Sequence, residues 1–147
     1  MREINLLDIT NIVKKSVIDI NYNLDKSLVS LIKKAKDREI KDLSKSILSD
    51  ILENQELARN GLVPLCQDTG VVVVFLEVGT EVTFKGDIYE AINEGVRQGY
   101  KEGFLRNSMV FHPFNRVNTK DNTPAIIHTK LVPGDKIRLH IASKGGG

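Results

Sequence analysis

The sequence predicts an α+β fold in which N-terminal amphipathic helices pack with a mixed, mainly antiparallel sheet. Residues 6–52 repeat apolar side chains at three- and four-residue spacing, which is typical of helices with one buried face. Further along, a valine-rich run and two apolar segments predict strands. Because the helices come first and most strands later, the two kinds of element are expected to segregate rather than alternate.

Three helices are predicted in succession at the N-terminal end. Charged side chains separate their apolar positions and predict the solvent-facing sides. Asn60-Gly61 is a plausible C-terminal stop for the third helix, and Pro64 indicates that this helix has ended by then. The apolar positions are Leu6, Ile9, Val13, Val17 and Ile20 in the first, Leu24, Leu28, Leu31, Ile32 and Ala35 in the second, and Ile40, Leu43, Ile47, Leu48, Ile51 and Leu52 in the third.

The rest of the chain predicts three strands. Val71–Val78 is apolar at all but one position, so we expect a strand that is buried on both faces. Residues 125–132 and 136–142 read as two further strands around the turn Val132-Pro133-Gly134-Asp135. Phe104–Thr123 has few periodic apolar residues, and an irregular stretch of that length predicts either a functional loop or an element that the pattern hides.

A fourth helix is predicted between the first two strands. Asp87 begins a capping pattern, the apolar positions run from Ile88 to Tyr100, and Gly103 ends the helix. Gly95 and Gly99 are four residues apart and therefore share one face of this helix. We expect another element to approach that face closely.

The composition is typical of one soluble domain spanning residues 1–147. A net charge of +2, with Lys and Arg spread along the chain, predicts no nucleic-acid surface. A single cysteine excludes an internal disulfide and indicates a reducing compartment. Met1–Asp8 lacks the layout of a signal peptide, and the longest apolar run is too short for a bilayer. We therefore expect a cytoplasmic protein with no membrane partner.

The only cysteine stands in Pro64-Leu65-Cys66-Gln67-Asp68-Thr69-Gly70. A lone thiol is a buried apolar residue, a nucleophile, or a ligand of a metal cluster. As a nucleophile in a thiol-dependent hydrolase, Cys66 lacks a histidine close in sequence; as a cluster ligand, it needs further ligands from outside this chain. Asp68 is either a turn cap or a general acid or base, and Gln67 offers a donor and an acceptor to a polar substrate.

A second group of polar residues follows the fourth helix. Arg106 is either a solvated charge or a bidentate clamp for a carboxylate, and the segment from Arg116 to Ala125 is rich in Asn, Asp and Thr that suit turns. Lys144 with the glycines that follow it is a weak signal for an anion-binding nest. The histidines have no metal-ligand spacing; they are His112, His128 and His140.

Together these segments resemble the class I fumarase and L(+)-tartrate dehydratase family, the iron–sulfur hydro-lyases. The residues that carry the resemblance are Pro64-Leu65-Cys66-Gln67-Asp68-Thr69-Gly70, Arg106-Asn107-Ser108, Arg116-Val117-Asn118-Thr119-Lys120-Asp121-Asn122-Thr123-Pro124-Ala125 and Lys144-Gly145-Gly146-Gly147. The resemblance covers the whole chain, as the N-terminal region of an α subunit.

The resemblance implies a role for each matching residue. Cys66 matches the first of three cysteine ligands of a 4Fe-4S cluster, whose open iron acts as a Lewis acid. Asp68 matches a residue that contacts substrate and transfers a proton, and Gln67 another that contacts substrate. Arg106 matches an arginine that holds a substrate carboxylate. The glycine loop Gly145, Gly146 and Gly147 matches one whose backbone faces the substrate.

The implied activity is reversible dehydration of a 2-hydroxy dicarboxylic acid, with malate and fumarate as the first pair and L(+)-tartrate as the alternative. The family's other two cluster cysteines are missing from this chain. We therefore expect a chain truncated after Gly147, inactive alone, and completed by a C-terminal region or a β subunit in a homo- or hetero-oligomer. The competing hypothesis is a non-catalytic subunit or interaction module, with the amphipathic helices and the Gly95/Gly99 face as its interface.

Overall fold

The structure, a computed structural model, describes residues 1–61 and 63–146. By Cα proximity the chain divides into two compact units: a helical unit of residues 19–66 and a sheet unit of residues 1–18 and 67–147. The single domain expected over residues 1–147 stays a prediction. The elements in order are β1 (Arg2–Glu3), α1 (Leu6–Tyr22), α2 (Lys26–Arg38), α3 (Asp42–Arg59), β2 (Gly70–Gly79), β3 (Val82–Thr83), α4 (Ile88–Glu102), β4 (Ile126–Val132) and β5 (Ile137–Gly145).

The sheet unit is built on a three-stranded sheet with the order β4-β2-β5. β2 runs parallel to β4, with Val73 opposite Ile126, and antiparallel to β5, with Gly70 opposite Gly145. The α+β class and the mixed sheet are confirmed. Antiparallel pairing does not dominate, however, because α4 carries the chain from the end of β2 back to the start of β4, which makes that pair parallel. The short strands β1 and β3 also pair in parallel.

The prediction that β2 is buried on both faces is wrong for the part of the chain that the structure describes. Alternate residues of a strand point to opposite faces, and only one face of β2 lies in the core. On the other face, Phe75 is 50% exposed and stacks on His128, with ring centroids 5.2 Å apart. The core of the sheet unit comprises Ile9, Val13 and Val17 of α1, Val72, Val74, Leu76 and Val78 of β2, and Ile88, Ala91, Ile92, Val96 and Tyr100 of α4.

The expected close packing at the glycines of α4 is confirmed, and the packing element is α1. A Cβ atom at Gly95 would lie 2.7 Å from both the Thr10 carbonyl oxygen and the Val13 Cβ. A Cβ atom at Gly99 would lie 3.2 Å from the Lys14 carbonyl oxygen. This face is therefore occupied within the chain, which removes it as the interface of an interaction module.

The helical unit consists mainly of α2 and α3, which the tripeptide 39–41 joins. Asp25 caps α2 by accepting a hydrogen bond from the Ser27 amide. Gln55 of α3 is 4% exposed, and its side-chain oxygen accepts a hydrogen bond from the Leu24 amide at 2.9 Å. No residue of α2 is buried. Among the described helices, none combines the length and the apolar character that a membrane span requires.

Candidate active site

The candidate site of the sheet unit starts where β2 and β5 meet. Gly70 lies opposite Gly145, and a Cβ atom at Gly70 would lie 2.1 Å from the Lys144 carbonyl oxygen. A Cβ atom at Gly145 would lie 2.5 Å from the Asp68 Oδ2 atom. Both positions therefore require glycine, and the missing side chain at Gly145 leaves room for the Asp68 carboxylate against the backbone of β5.

The Asp68 carboxylate is exposed and held locally. Its Oδ1 atom accepts a hydrogen bond from the Thr69 amide at 2.8 Å. The Thr69 carbonyl oxygen in turn accepts a hydrogen bond from the Gly146 amide at 2.6 Å. The backbone of Thr69 and of Gly146 is thus held in place next to the carboxylate, while the carboxylate itself stays open to solvent.

Arg106 is anchored to the same segment by Gln67. The Gln67 Oε1 atom accepts a hydrogen bond from the Arg106 amide at 2.8 Å, and the Arg106 Nη1 atom donates to the Gln67 carbonyl oxygen at 3.0 Å. These two contacts fix both the backbone and the guanidinium of an exposed arginine beside the residue that precedes Asp68. Gln67 therefore positions Arg106, and its contact with substrate stays a prediction.

Asn122 ties the Arg106 segment to the start of β2. It is fully buried, and its Oδ1 atom accepts hydrogen bonds from the amides of Ser108 at 2.6 Å and Met109 at 3.0 Å. Its Nδ2 atom donates to the Gly70 carbonyl oxygen at 3.3 Å. One buried amide thus holds the segment after Arg106 and the segment after Asp68 in a fixed relation.

An ion pair supports Asn122 from α4. The Arg97 Nε atom lies 3.3 Å from the Asp121 Oδ2 atom, and Asp121 also accepts hydrogen bonds from the amide and the hydroxyl of Thr123. Partial burial acts to raise the pKa of the Asp121 carboxyl, but these hydrogen bonds and the Arg97 charge outweigh it, so the pKa lies below its ordinary value. The residues on both sides of Asn122 are therefore fixed as well.

Cys66 ends the helical unit, directly before Gln67 in the chain. Its thiol is free and exposed, and its amide donates to the Asn54 Oδ1 atom at 3.0 Å. The exposure contradicts the alternative of a buried apolar cysteine. The side chain is accessible to a ligand that approaches from solvent.

The described residues do not fit an iron–sulfur cluster on their own. A 4Fe-4S cluster takes cysteine thiolates as its protein ligands, and this chain offers a single one. Within residues 1–61 and 63–146, no group of three or more His, Cys, Asp and Glu side chains is placed to hold a metal ion. Any cluster at Cys66 needs thiolates from outside this chain.

The structure brings most of the predicted residues of the sheet unit into two contacts, Asp68 with Gly145 and Gln67 with Arg106. Gly145 is the last residue of β5 rather than part of a loop, so the predicted glycine loop begins at Gly146; Gly147 lies outside the described residues.

Sequence reasoning gave no separate role to Asn122. Its signal was the polar segment before Pro124, where an asparagine suits a left-handed turn; its φ is 58°.

This arrangement suits a small anionic substrate. A solvent-open carboxylate is able to take or return a proton, and an anchored guanidinium is able to bind a substrate carboxylate through two parallel hydrogen bonds. Both groups come from segments that the part-buried hydrogen bonds of Asn122 help to hold in place, so little reorganisation is needed when a substrate binds.

Comparisons with known proteins identify the relatives of this chain. The profile of the family described as "Fumarate hydratase (Fumerase)" matches residues 10–147. A putative L(+)-tartrate dehydratase subunit alpha from Methanocaldococcus jannaschii is 35% identical over 118 residues, which cover 79% of this chain and 41% of the relative. The anaerobic class I fumarate hydratase of Escherichia coli is 34% identical over 113 residues, covering 76% and 21%.

A third relative matches over more of the chain. The L(+)-tartrate dehydratase subunit alpha of Escherichia coli is 27% identical over 143 residues, which cover 95% of this chain and 47% of the relative. In all three comparisons the matched part spans less than half of the relative's own length.

Proposed function

The chain belongs to the fumarate hydratase (Fumerase) family, and from this premise we propose that it is the N-terminal region of the α subunit of a hydro-lyase. The proposed reaction is the reversible loss of water from a 2-hydroxy dicarboxylic acid. Malate and fumarate are the first pair, since one relative is named a fumarate hydratase. L(+)-tartrate is the alternative, because two relatives are named as α subunits of its dehydratase.

Two observations on neighbouring residues carry this proposal: the open Asp68 carboxylate lies against Gly145, and Gln67, directly before Asp68, anchors Arg106. Dehydration removes a hydroxyl group from one carbon and a proton from its neighbour, while two carboxylates of the substrate stay bound. Asp68 takes the proton in the dehydration direction and returns it in hydration. Arg106 holds one substrate carboxylate, and the backbone at Gly145, Gly146 and Gly147 faces the substrate.

We also propose that Cys66 is one of three cysteine ligands of a 4Fe-4S cluster, the other two coming from outside this chain. Such a cluster supplies a Lewis acid for the leaving hydroxyl group. The exposure of the thiol and its place next to Gln67 support this role. The chain alone is accordingly expected to be inactive and to bind no stoichiometric cluster.

The proposed partners follow from the same argument. A small dicarboxylate is the substrate, and a C-terminal region or a β subunit completes the enzyme as a homo- or hetero-oligomer, with no nucleic-acid or membrane partner. The names of the tartrate dehydratase relatives as α subunits support the second subunit. A cytoplasmic location is proposed because a free, exposed thiol is typical of a reducing compartment.

The competing proposal is a non-catalytic subunit or interaction module. The deciding experiment uses Asp68→Asn and Arg106→Ala in the completed enzyme, with malate and tartrate as separate substrates. Loss of a proton-transferring carboxylate should lower kcat about 10²- to 10⁴-fold. Loss of the clamp should raise KM, since a charged hydrogen bond to substrate disappears.

Asp135→Asn is the matched control, because Asp135 is an exposed carboxylate in the turn between β4 and β5. It should leave both constants unchanged. Activity close to wild type in both site variants would support the module instead. In the same preparation Cys66→Ser should abolish the visible absorbance of the cluster, and its full retention would remove Cys66 as a ligand.

A further inference from the structure

The helical unit exposes a row of large apolar side chains. On α3, Leu43, Ile47 and Ile51 recur every four residues and are 76%, 51% and 40% exposed. On α2, Leu28 and Leu31 are 44% and 61% exposed, and Ala35 is exposed as well. We call these six residues the apolar stripe. Large apolar side chains scattered singly are ordinary on a protein surface, whereas a contiguous set marks an interaction site.

The two halves of the apolar stripe lie on the same side of the unit. α2 and α3 run antiparallel, since Val29 and Lys33 of α2 share a cavity of about 260 Å³ with Gln55 and Arg59 of α3. At 100° per residue, Ile47 is turned by one position from Leu48, which is half-buried. On α2, Leu28 likewise comes one position before the half-buried Val29. When two helices run antiparallel, the same offset from their contact turns the side chains to the same side of the pair, so both halves of the stripe face one way.

The stability of α2 also calls for a partner. It has 13 residues, none of them buried, and isolated helices of that length are marginal in water. Its amphipathic face is only partly used by α3, since Leu28, Leu31 and Ala35 are left exposed. A second layer of helices on the apolar stripe would bury these side chains.

The charges identify the partner. α2 carries five basic side chains and one acidic one, whereas α3 carries four acidic side chains and two basic ones. A second copy of the same hairpin therefore offers an acidic helix to the basic one and a basic helix to the acidic one. We propose that a second copy of this chain packs on the apolar stripe, so that two hairpins form a four-helix bundle in which α2 of each copy faces α3 of the other.

The charged rim of this bundle can be specified. Lys34 borders the stripe on the side of α2 that faces away from α3. Asp50 borders the stripe on the side of α3 that faces away from α2. With the two-fold axis along the helices, Lys34 of one copy lies at about the level of Asp50 of the other. Such an interface is isologous, so every contact occurs twice.

The first experiment measures the self-association of the 147-residue chain by sedimentation velocity over a range of concentrations. The wild type should form a species of about twice 16.4 kDa. Ile47→Glu places a charge in the stripe and should raise the dissociation constant at least about tenfold. Lys45→Glu is the control, since Lys45 is exposed and lies about 200° from Ile47 around α3, on the side opposite the stripe, and it should dimerise like the wild type.

Circular dichroism checks that both variants keep the wild-type helix content. A wild type that stays monomeric at about 100 μM, on the micromolar scale of weak specific complexes, would overturn the proposal. Equal dissociation constants for Ile47→Glu and Lys45→Glu would overturn it as well. Neither outcome depends on catalysis, so a failure here is distinct from a failure of the proposed hydro-lyase function.

The second experiment tests the rim by charge reversal. Lys34→Glu places two acidic side chains at each rim contact of its homodimer, and Asp50→Lys places two basic ones there. Each variant alone should associate at least about tenfold more weakly than the wild type. An equimolar mixture should form a heterodimer, in which both rim contacts again join opposite charges. A mixture that associates no more tightly than the separate variants would exclude the arrangement of α2 against α3.

Discussion

α4 and α2 are amphipathic helices of similar length, 15 and 13 residues, in opposite surroundings. α4 buries seven residues, including two glycines that let α1 approach closely. α2 buries none, and what stabilises it within the chain is an Asp25 cap and partial contact with α3. The difference teaches that α4 is stabilised by the core of its own unit. α2 instead leaves the apolar stripe exposed, which is the surface that the proposed second copy covers.

The most direct test of this comparison between α4 and α2 is to shorten one side chain in each helix. Ile92 of α4 is fully buried, so Ile92→Ala should lower the free energy of unfolding by about 2–5 kcal/mol. Leu31 of α2 is 61% exposed, so Leu31→Ala should change it by no more than about 0.5 kcal/mol. Urea unfolding at concentrations where the chain is monomeric measures both. Similar losses in the two variants would contradict the comparison.

The second effect comes from adding a methyl group where α1 meets α4. Gly95→Ala puts a Cβ atom against backbone and should destabilise the chain by about 1–3 kcal/mol. A Cβ atom at Gly99 would meet its neighbours at 3.2–3.3 Å, which is tight but longer than at Gly95, so Gly99→Ala should be milder because a shift of a few tenths of an ångström relieves it. Thermal unfolding of both variants gives the order, and a larger loss for Gly99→Ala would contradict the geometry.

The third effect concerns Asn122, whose hydrogen bonds join the segments of the candidate site. Asn122→Gly keeps a residue that tolerates the positive φ but leaves the Ser108 and Met109 amides and the Gly70 carbonyl without this partner. The expected loss is about 1–3 kcal/mol. Asn122→Ala should lose more, because it adds backbone strain at φ 58°. Lys120, at an exposed position with φ 67°, gives the control for strain alone: the difference in stability between Lys120→Ala and Lys120→Gly measures the cost of a Cβ atom at a positive φ.

The smallest effect is a dependence of stability on acid. The pKa of Asp121 is lowered in the fold from its ordinary value of 3.8, so its contribution is complete above that value and is lost as the pH falls through the lower, folded pKa. Asp121→Asn should flatten the stability profile in that window and leave its shape above pH 5 unchanged. Urea midpoints taken from neutral pH downwards test this, and an unchanged acid slope would contradict the assignment.

The elements could largely be predicted from the sequence because each depends on local periodicity and caps. Asp87, for example, accepts hydrogen bonds from the amides of Tyr89 and Glu90, as its capping pattern indicates. The burial of β2 could not be predicted, because an apolar run does not show whether a second layer covers its outer face. The parallel pairing of β2 with β4 was missed because pairing depends on where α4 returns the chain, which local patterns do not show.

The candidate site divides in the same way. Asp68 and Arg106 could be proposed from their segments, since a carboxylate suits proton transfer and a guanidinium suits anion binding; their roles stay predictions. The roles of Gln67 as the anchor of Arg106 and of Asn122 as a buried connection depend on contacts between residues far apart in the chain. Such contacts become visible only when the strands and loops are placed together.

The pairing of Gly70 with Gly145 has a consequence for the order of folding. The hairpin of α2 and α3 needs only contacts between residues that are close in sequence. The position of Asp68 against Gly145 instead needs β5, the last strand along the chain, to close a very long loop onto β2. Contacts of such large sequence separation form slowly. During refolding, the amides of β2 should therefore gain protection from hydrogen exchange later than those of the helices, and the candidate site should be among the last parts of the molecule to acquire its shape.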